Sequence, residues 1–274
     1  MSDYRDYQRR TSKFISWFPK ILILSLGLAV VSSQANATGY DRTAKLYAIG
    51  KTNEAPLFTQ KTHFEEKDGV MFSETNIVDP KGNLVVNETA SYKGSVLILQ
   101  KLDQFQTKRH FEIEVKNERV NFKQGTLPYK LGDKVIEDSV GYFDNFITGP
   151  TSEAFIGQHW DEILAGKIVV FRFGVMEIKD TVKFQFKMIG KQKLGDQDVI
   201  AITMKPGSMF ISMLVDPITI YMDPKDKRYL KFVGRTPLKF TLKNDLKSLD
   251  AELVYDPDPV VAPTPNPTST QVKH

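Results

Sequence analysis

Phe111, Ile113 and Val115 alternate with Glu112, Glu114 and Lys116, and Val182, Phe184, Phe186 and Met188 alternate with Lys183, Gln185 and Lys187. A two-residue period puts successive side chains on opposite sides of an extended chain, so these segments are strands with one buried face. Turn chemistry joins such segments into hairpins. Asp79-Pro80-Lys81-Gly82-Asn83 separates Val70, Met71 and Phe72 from Leu84, Val85 and Val86; there the proline sets φ and the glycine admits positive φ. Asp223-Pro224-Lys225-Asp226 connects residues 218–221 to 229–232 in the same way.

Two stretches depart from this period. Ser152 stands where it can cap a helix with Glu153 in its first turn, and Phe155, Ile156, Trp160, Ile163 and Leu164 recur at three- and four-residue spacing until Gly166 ends the pattern. A shorter helical candidate covers residues 139–147, with Val140, Phe143, Phe146 and Ile147 on one side. The apolar run at 209–215 fits a strand or a short helix equally. Many antiparallel strands interrupted by one helical segment read as an α+β fold. The expectation is a mostly antiparallel curved β-sheet or half-open barrel, with a short helical insertion around Trp160 covering one face.

The N-terminus has a different character. Arg5, Arg9, Arg10, Lys13 and Lys20 precede an uncharged apolar run at residues 21–31, and Ala35 and Ala37 follow with small side chains two apart. That order is the pattern of a cleavable export signal, and the apolar run is too short for a spanning helix, which needs about 20 residues. Cleavage is expected after Ala37, giving a periplasmic product with no transmembrane anchor. Its single β-rich domain is expected over residues 38–255. Pro257, Pro259, Pro263, Pro265 and Pro267 among small polar residues mark 256–274 as a disordered tail.

Charge and cysteine content exclude several functions. Subtracting the five basic and two acidic residues of 1–37 from totals of 37 and 33 leaves 32 and 31, so the product is nearly neutral. No basic cluster argues for nucleic acid. With no cysteine in the chain, there is no lipid-bearing cysteine, no disulfide and no thiolate metal site.

Catalytic patterns are equally sparse. His63, His110 and His159 fall in no metal-binding or nucleophile spacing. His110, beside Lys108 and Arg109, reads as an exposed residue. His159 with Asp161 and Glu162 is the best polar group, but residues one or two apart on a helix diverge, and a solvated helix face accounts for them. Glu65 and Glu66 point to opposite faces of a strand and cannot converge on one bond. Asn87-Glu88-Thr89 fits a glycosylation acceptor, a match that a bacterial leader makes accidental. No catalytic residue, metal or cofactor is expected, and the chain is not read as an enzyme; a hydrolase ranks last.

The apolar inventory points elsewhere. Met176, Met188, Met204, Met209, Met213 and Met222 lie in the second half among Phe171, Phe173, Phe184, Phe186 and Phe210. Methionine adapts to varied apolar partners, although Met and Phe also fill ordinary cores. Trp160, Phe155, Phe171, Phe184, Phe186, Met209 and Met213 are therefore the candidate ligand-binding residues.

Residues 155–167, from Phe155-Ile156-Gly157-Gln158-His159-Trp160 to Lys167, followed by Val170-Phe171-Arg172-Phe173, resemble an uncharacterised family of exported proteobacterial proteins. Residues 215–223 and 229–235 are similar to the same group, which brings no activity to carry over. The Ile218, Ile220, Tyr221 and Asp223 hairpin ahead of Tyr229, with the order of strands, has a looser likeness to the periplasmic lipoprotein-carrier superfamily. That likeness implies a half-open barrel closed by helices over an apolar cavity. The resulting expectation is a periplasmic, non-enzymatic binding module for a lipid, acyl chain or other apolar small molecule. The alternative is a cell-envelope scaffold that engages another envelope protein.

Overall fold

The computed structural model describes residues 38–130, 132–207, 216–242 and 245–257. Eight strands come first: β1 (Thr38–Ala48), β2 (Phe58–Lys67), β3 (Val70–Val78), β4 (Leu84–Lys93), β5 (Val96–Gln104), β6 (Arg109–Lys116), β7 (Arg119–Thr126) and β8 (Ile136–Gly141). A short β9 (Phe146–Ile147) leads into helices α1 (Ser152–Gln158) and α2 (Trp160–Leu164). Six strands follow: β10 (Val169–Val175), β11 (Asp180–Leu194), β12 (Gln197–Pro206), β13 (Ile218–Met222), β14 (Tyr229–Leu242) and β15 (Asp245–Tyr255).

Local chemistry sets the hairpins. Asp68 and Gly69 join β2 to β3 with φ of 55° and 72°, and Asn117 and Glu118 join β6 to β7 with 53° and 57°. Two consecutive positive φ values match the twist of the flanking strands. In the β3–β4 connection, Asp79 Oδ1 accepts from the Lys81 and Asn83 amides at 2.9 Å, so the expected turn forms. The β13–β14 connection is held likewise, with Asp223 Oδ1 accepting from the Lys225 amide at 2.7 Å.

All strands belong to one sheet, ordered β8-β7-β6-β5-β4-β3-β2-β1-β15-β14-β13-β12-β11-β10-β9. Neighbours are antiparallel except β9 beside β10. The first and last strands pair mid-sheet, so both halves of the chain contribute one continuous surface. Its two edges, β8 and β9, are only the residues 142–145 apart in sequence. Such a link spans less than about 20 Å, so the sheet must curl until its edges approach. Phe146 of β9 packs with Leu97, Ile113, Val120 and Phe122 of the opposite half. Among the described residues no strand pairing joins the two edges, and the sheet remains curved and unclosed.

One end of the curl is pinned by the β5–β6 turn. Gln106 Nε2 donates to the Lys239 carbonyl at 2.7 Å, the Lys239 amide returns a bond to Gln106 Oε1 at 2.9 Å, and Gln104 Nε2 donates to the Pro237 carbonyl. Leu46, Ile77, Val86, Leu102 and Phe111 meet Leu238, Leu249, Ala251 and Leu253 there. The helices occupy the other region, where Phe155, Ile156, Trp160 and Ile163 pack on β10–β13.

Three expectations change. Residues 139–147 form β8 and β9 rather than a helix. Their helix-like apolar spacing arises because Val140 faces the interior beside Tyr142 while Phe146 and Ile147 are buried on both sides of a short edge strand. The helical segment starts as expected but breaks at His159 (φ −98°, ψ 17°), giving two short helices. Thr151, not Ser152, is the N-cap, and the Ser152 hydroxyl donates to the Gly149 carbonyl at 2.6 Å. Gly166 ends the segment at φ 78°, as its lack of a Cβ permits. The run at 209–215 lies outside the described residues.

Candidate functional site: a polar band inside the curled sheet

Of the aromatic residues expected to bind a ligand, Trp160, Phe155, Phe171, Phe184 and Phe186 fall in one cluster. The phenylalanine rings contact one another: Phe171 and Phe186 stack with centroids 4.3 Å apart, and Phe155 lies 5.7 Å from Phe171 and 6.3 Å from Phe186. Alternation places them here, since Phe171 pairs with Phe184 across β10 and β11, and Val169 with Phe186. Met209 and Met213 lie outside the described residues.

The histidines take separate positions. His159 Nδ1 contacts Glu162 Oε1 at 2.9 Å on the solvent side of α2, and the Phe155 ring lies 4.5 Å away. His63 contacts Asp41 at 2.7 Å on the exposed face of β1 and β2, beside a depression of about 280 Å³ shared with Lys61 and Glu74. Lys61 and then His63 hold the Asp41 carboxyl below its ordinary pKa by hydrogen bonding. A larger depression of about 570 Å³ lies over β6–β8, among Glu114, Lys116, Arg119 and Glu137. Both are open and polar.

His110 corrects the expectation of exposure. It is buried, its Nδ1 contacts Asp103 Oδ1 at 2.6 Å, and the Tyr129 ring stacks on it at 4.0 Å and 5°. The segment after β7 folds back over the outer face and supplies that cover, which neighbours in sequence do not reveal. Among the described residues no group of three or more acids and histidines is placed to hold a metal. Nor is any helix among them long and apolar enough to cross a membrane.

The inner face of β1–β5 carries the chemistry that periodicity did not flag. Cross-strand register runs from Arg42 to Thr62, from Thr62 to Thr75, and from Thr75 to Glu88. The Thr62 and Thr75 hydroxyls share a bond of 2.9 Å, and Gln100 Nε2 on β5 donates to Glu88 Oε1 at 2.6 Å. Arg42 reaches the helical segment: Nη1 donates to Glu153 at 3.0 and 3.1 Å, and Nη2 to the Tyr229 carbonyl at 2.7 Å. Glu153 also accepts from the Tyr229 amide at 2.7 Å, while the Tyr229 hydroxyl donates to Ser152 Oγ at 2.8 Å. Arg42 lies 4.5 Å over the Tyr255 ring.

Burial dominates the electrostatics of this band. It pushes Glu88 up to about 7, a shift that the bond from Gln100 opposes without cancelling. It also pushes Tyr255 up to about 12 and raises Tyr92 and Tyr229. Glu88 and Tyr255 are half-buried on the inner face.

One signal for this site was present in the sequence. Val86 and Ala90 stand two residues either side of Glu88, so strict alternation turns a carboxylate toward the apolar face. No family model, no curated protein and no solved structure matches this chain.

Proposed function

We propose that the chain is a non-enzymatic binding module, exported to the cell envelope, that encloses a small amphipathic molecule within its curled sheet. The observation that carries this reading is Glu88, a half-buried acid on the inner face whose carboxyl accepts from the buried Gln100 amide and, among the described residues, is paired with no cation. A buried charge or polar group without full compensation destabilises a fold, and such groups concentrate where a ligand completes them. The apolar part of the ligand lies within the curled sheet away from Leu102 and Phe111, on which Leu238, Leu249 and Leu253 already pack. It does not displace the rings of Phe155, Phe171 and Phe186, which already fill one another's space.

A scaffold role is the second reading, favoured by that same ring packing and by the unpaired, exposed edge strand β8. The two separate on one experiment. The full chain, expressed with its own leader and purified from the envelope fraction, is extracted with organic solvent and the extract analysed by mass spectrometry. A stoichiometric amphiphile supports the binding module. Absence of any extractable molecule, together with no response of the Glu88 and Tyr255 NMR signals to added alkyl amphiphiles, leaves the scaffold.

A further inference from the structure

Glu88 and Gln100 share one hydrogen bond and leave one buried acceptor unmet. Gln100 is 4% exposed, and its Oε1 is buried without a partner. Among the described residues no cation is bonded to Glu88: the guanidinium on the same inner face, Arg42, commits Nη1 to Glu153 and Nη2 to the Tyr229 carbonyl. An ionised Glu88 and the unpartnered Gln100 amide oxygen, side by side and both acceptors, present a site for a group that only donates.

We propose that the Glu88 and Gln100 pair is a receptor for a primary amine or ammonium group at the polar end of the enclosed ligand. This rests on the binding-module reading above. An alkylammonium carries three N–H donors and no acceptor. One reaches the second oxygen of Glu88, one reaches Gln100 Oε1, and the third is directed to Thr75, the cross-strand neighbour of Glu88. An alcohol offers a single donor and leaves one acceptor orphaned. A carboxylate offers none and would place two acids together, which raises the free energy of both.

The charge balance has a consequence. Among the described residues the other ionisable groups of this inner region are Arg42 and Tyr40 on β1, Tyr92 on β4, Tyr229 on β14, Tyr255 on β15 and Glu153 on α1, with Arg228, which pairs with Asp226, acting on Tyr40. Arg42 and Glu153 offset one another, and burial keeps Tyr92, Tyr229 and Tyr255 neutral. The protonated Glu88 therefore gives up its proton when the ammonium arrives: R–NH3+ and Glu88–COOH become the ion pair, and one H+ leaves to solvent. Binding below neutral pH releases about one proton, and affinity rises up to about tenfold per pH unit toward pH 7 and then levels.

The test titrates the full chain with octylammonium, octanol and octanoate by calorimetry at about pH 6 and pH 8, in two buffers of different ionisation heat. Octylammonium should bind at least about tenfold more tightly than the other two, with proton release at the lower pH only. Glu88→Gln should abolish both the preference and the release. If octanol and octylammonium bind alike and no proton is released, the amine receptor is wrong and the binding module stands. If none of the three binds and no amphiphile is extracted, the binding module itself is wrong. Should Glu88→Gln not fold, the wild-type preference and proton release decide alone.

Discussion

Arg42 and Glu153 meet at 3.0 Å although 111 residues separate them, and through that contact the first strand holds the first helix. The Arg42 side chain is 8% exposed and that of Glu153 29%. Removing one partner leaves the other charge poorly solvated, so Arg42→Met should destabilise the protein by about 3 kcal/mol. Arg42→Met with Glu153→Leu should recover part of that loss. Urea midpoints at constant m-value measure both, and a single variant as stable as wild type would show that the pair is not what seats the helix.

Stability should depend on the protonation of Glu88. Its pKa rises from an ordinary 4.5 to about 7 in the folded chain, because burial disfavours the carboxylate. The folded state therefore binds the proton more tightly than the unfolded one. The contribution is fully present below about pH 4.5, declines as pH rises and is lost above about pH 7, amounting to about 3 kcal/mol. Glu88→Gln removes this component. Denaturation at a series of pH values should show the slope in wild type between pH 5 and 7 and a flatter profile in the variant.

The aromatic cluster should behave as a packed core. Phe186 is fully buried against Phe171 and Phe155, so Phe186→Ala should cost about 3–5 kcal/mol through lost burial and the cavity left behind. Leu164, exposed at the end of α2, provides the control: Leu164→Ala should change stability by less than about 0.5 kcal/mol. Thermal unfolding of both variants gives the comparison, and a mild Phe186→Ala would point to empty space between the rings.

Two glycine substitutions should act with opposite signs. A Cβ on Gly234, at φ 152°, would lie 2.6 Å from Ile218 Cγ1 and 3.2 Å from Ile218 Cα, so Gly234→Ala should destabilise by about 2 kcal/mol. Gly157 lies within α1 with nothing inside 4 Å of an added Cβ. Gly157→Ala should stabilise by roughly 0.5 kcal/mol, since alanine narrows the unfolded ensemble and favours the helix. Parallel melting curves check the pair, and equal shifts would refute the steric account.

The alternation at 111–116 and 182–188, the proline-bearing turns and the helix around Trp160 were legible because each is set by residues within a few positions of one another. Residues 139–147 misled for the same reason. Val140, Phe146 and Ile147 satisfy a helical spacing locally, but a half-buried Val140 and a buried Phe146 reach the same cluster from opposite edges of a curled sheet. His110 looked exposed because its cover, Tyr129, arrives from a segment that folds back from beyond the next strand.

By itself the sequence determined that this chain is built of strands with one apolar face, where its hairpins turn, and that a carboxylate at 88 falls on the apolar side of its strand. Only the tertiary structure decided what that carboxylate meets. The row from Arg42 through Thr62 and Thr75 to Glu88 exists because β1–β4 pair in one register, and Gln100, Tyr255 and Glu153 join it because the sheet curls around them. A two-residue period specifies which face a side chain takes, whereas the partner on that face depends on register and curvature, which are properties of the whole sheet.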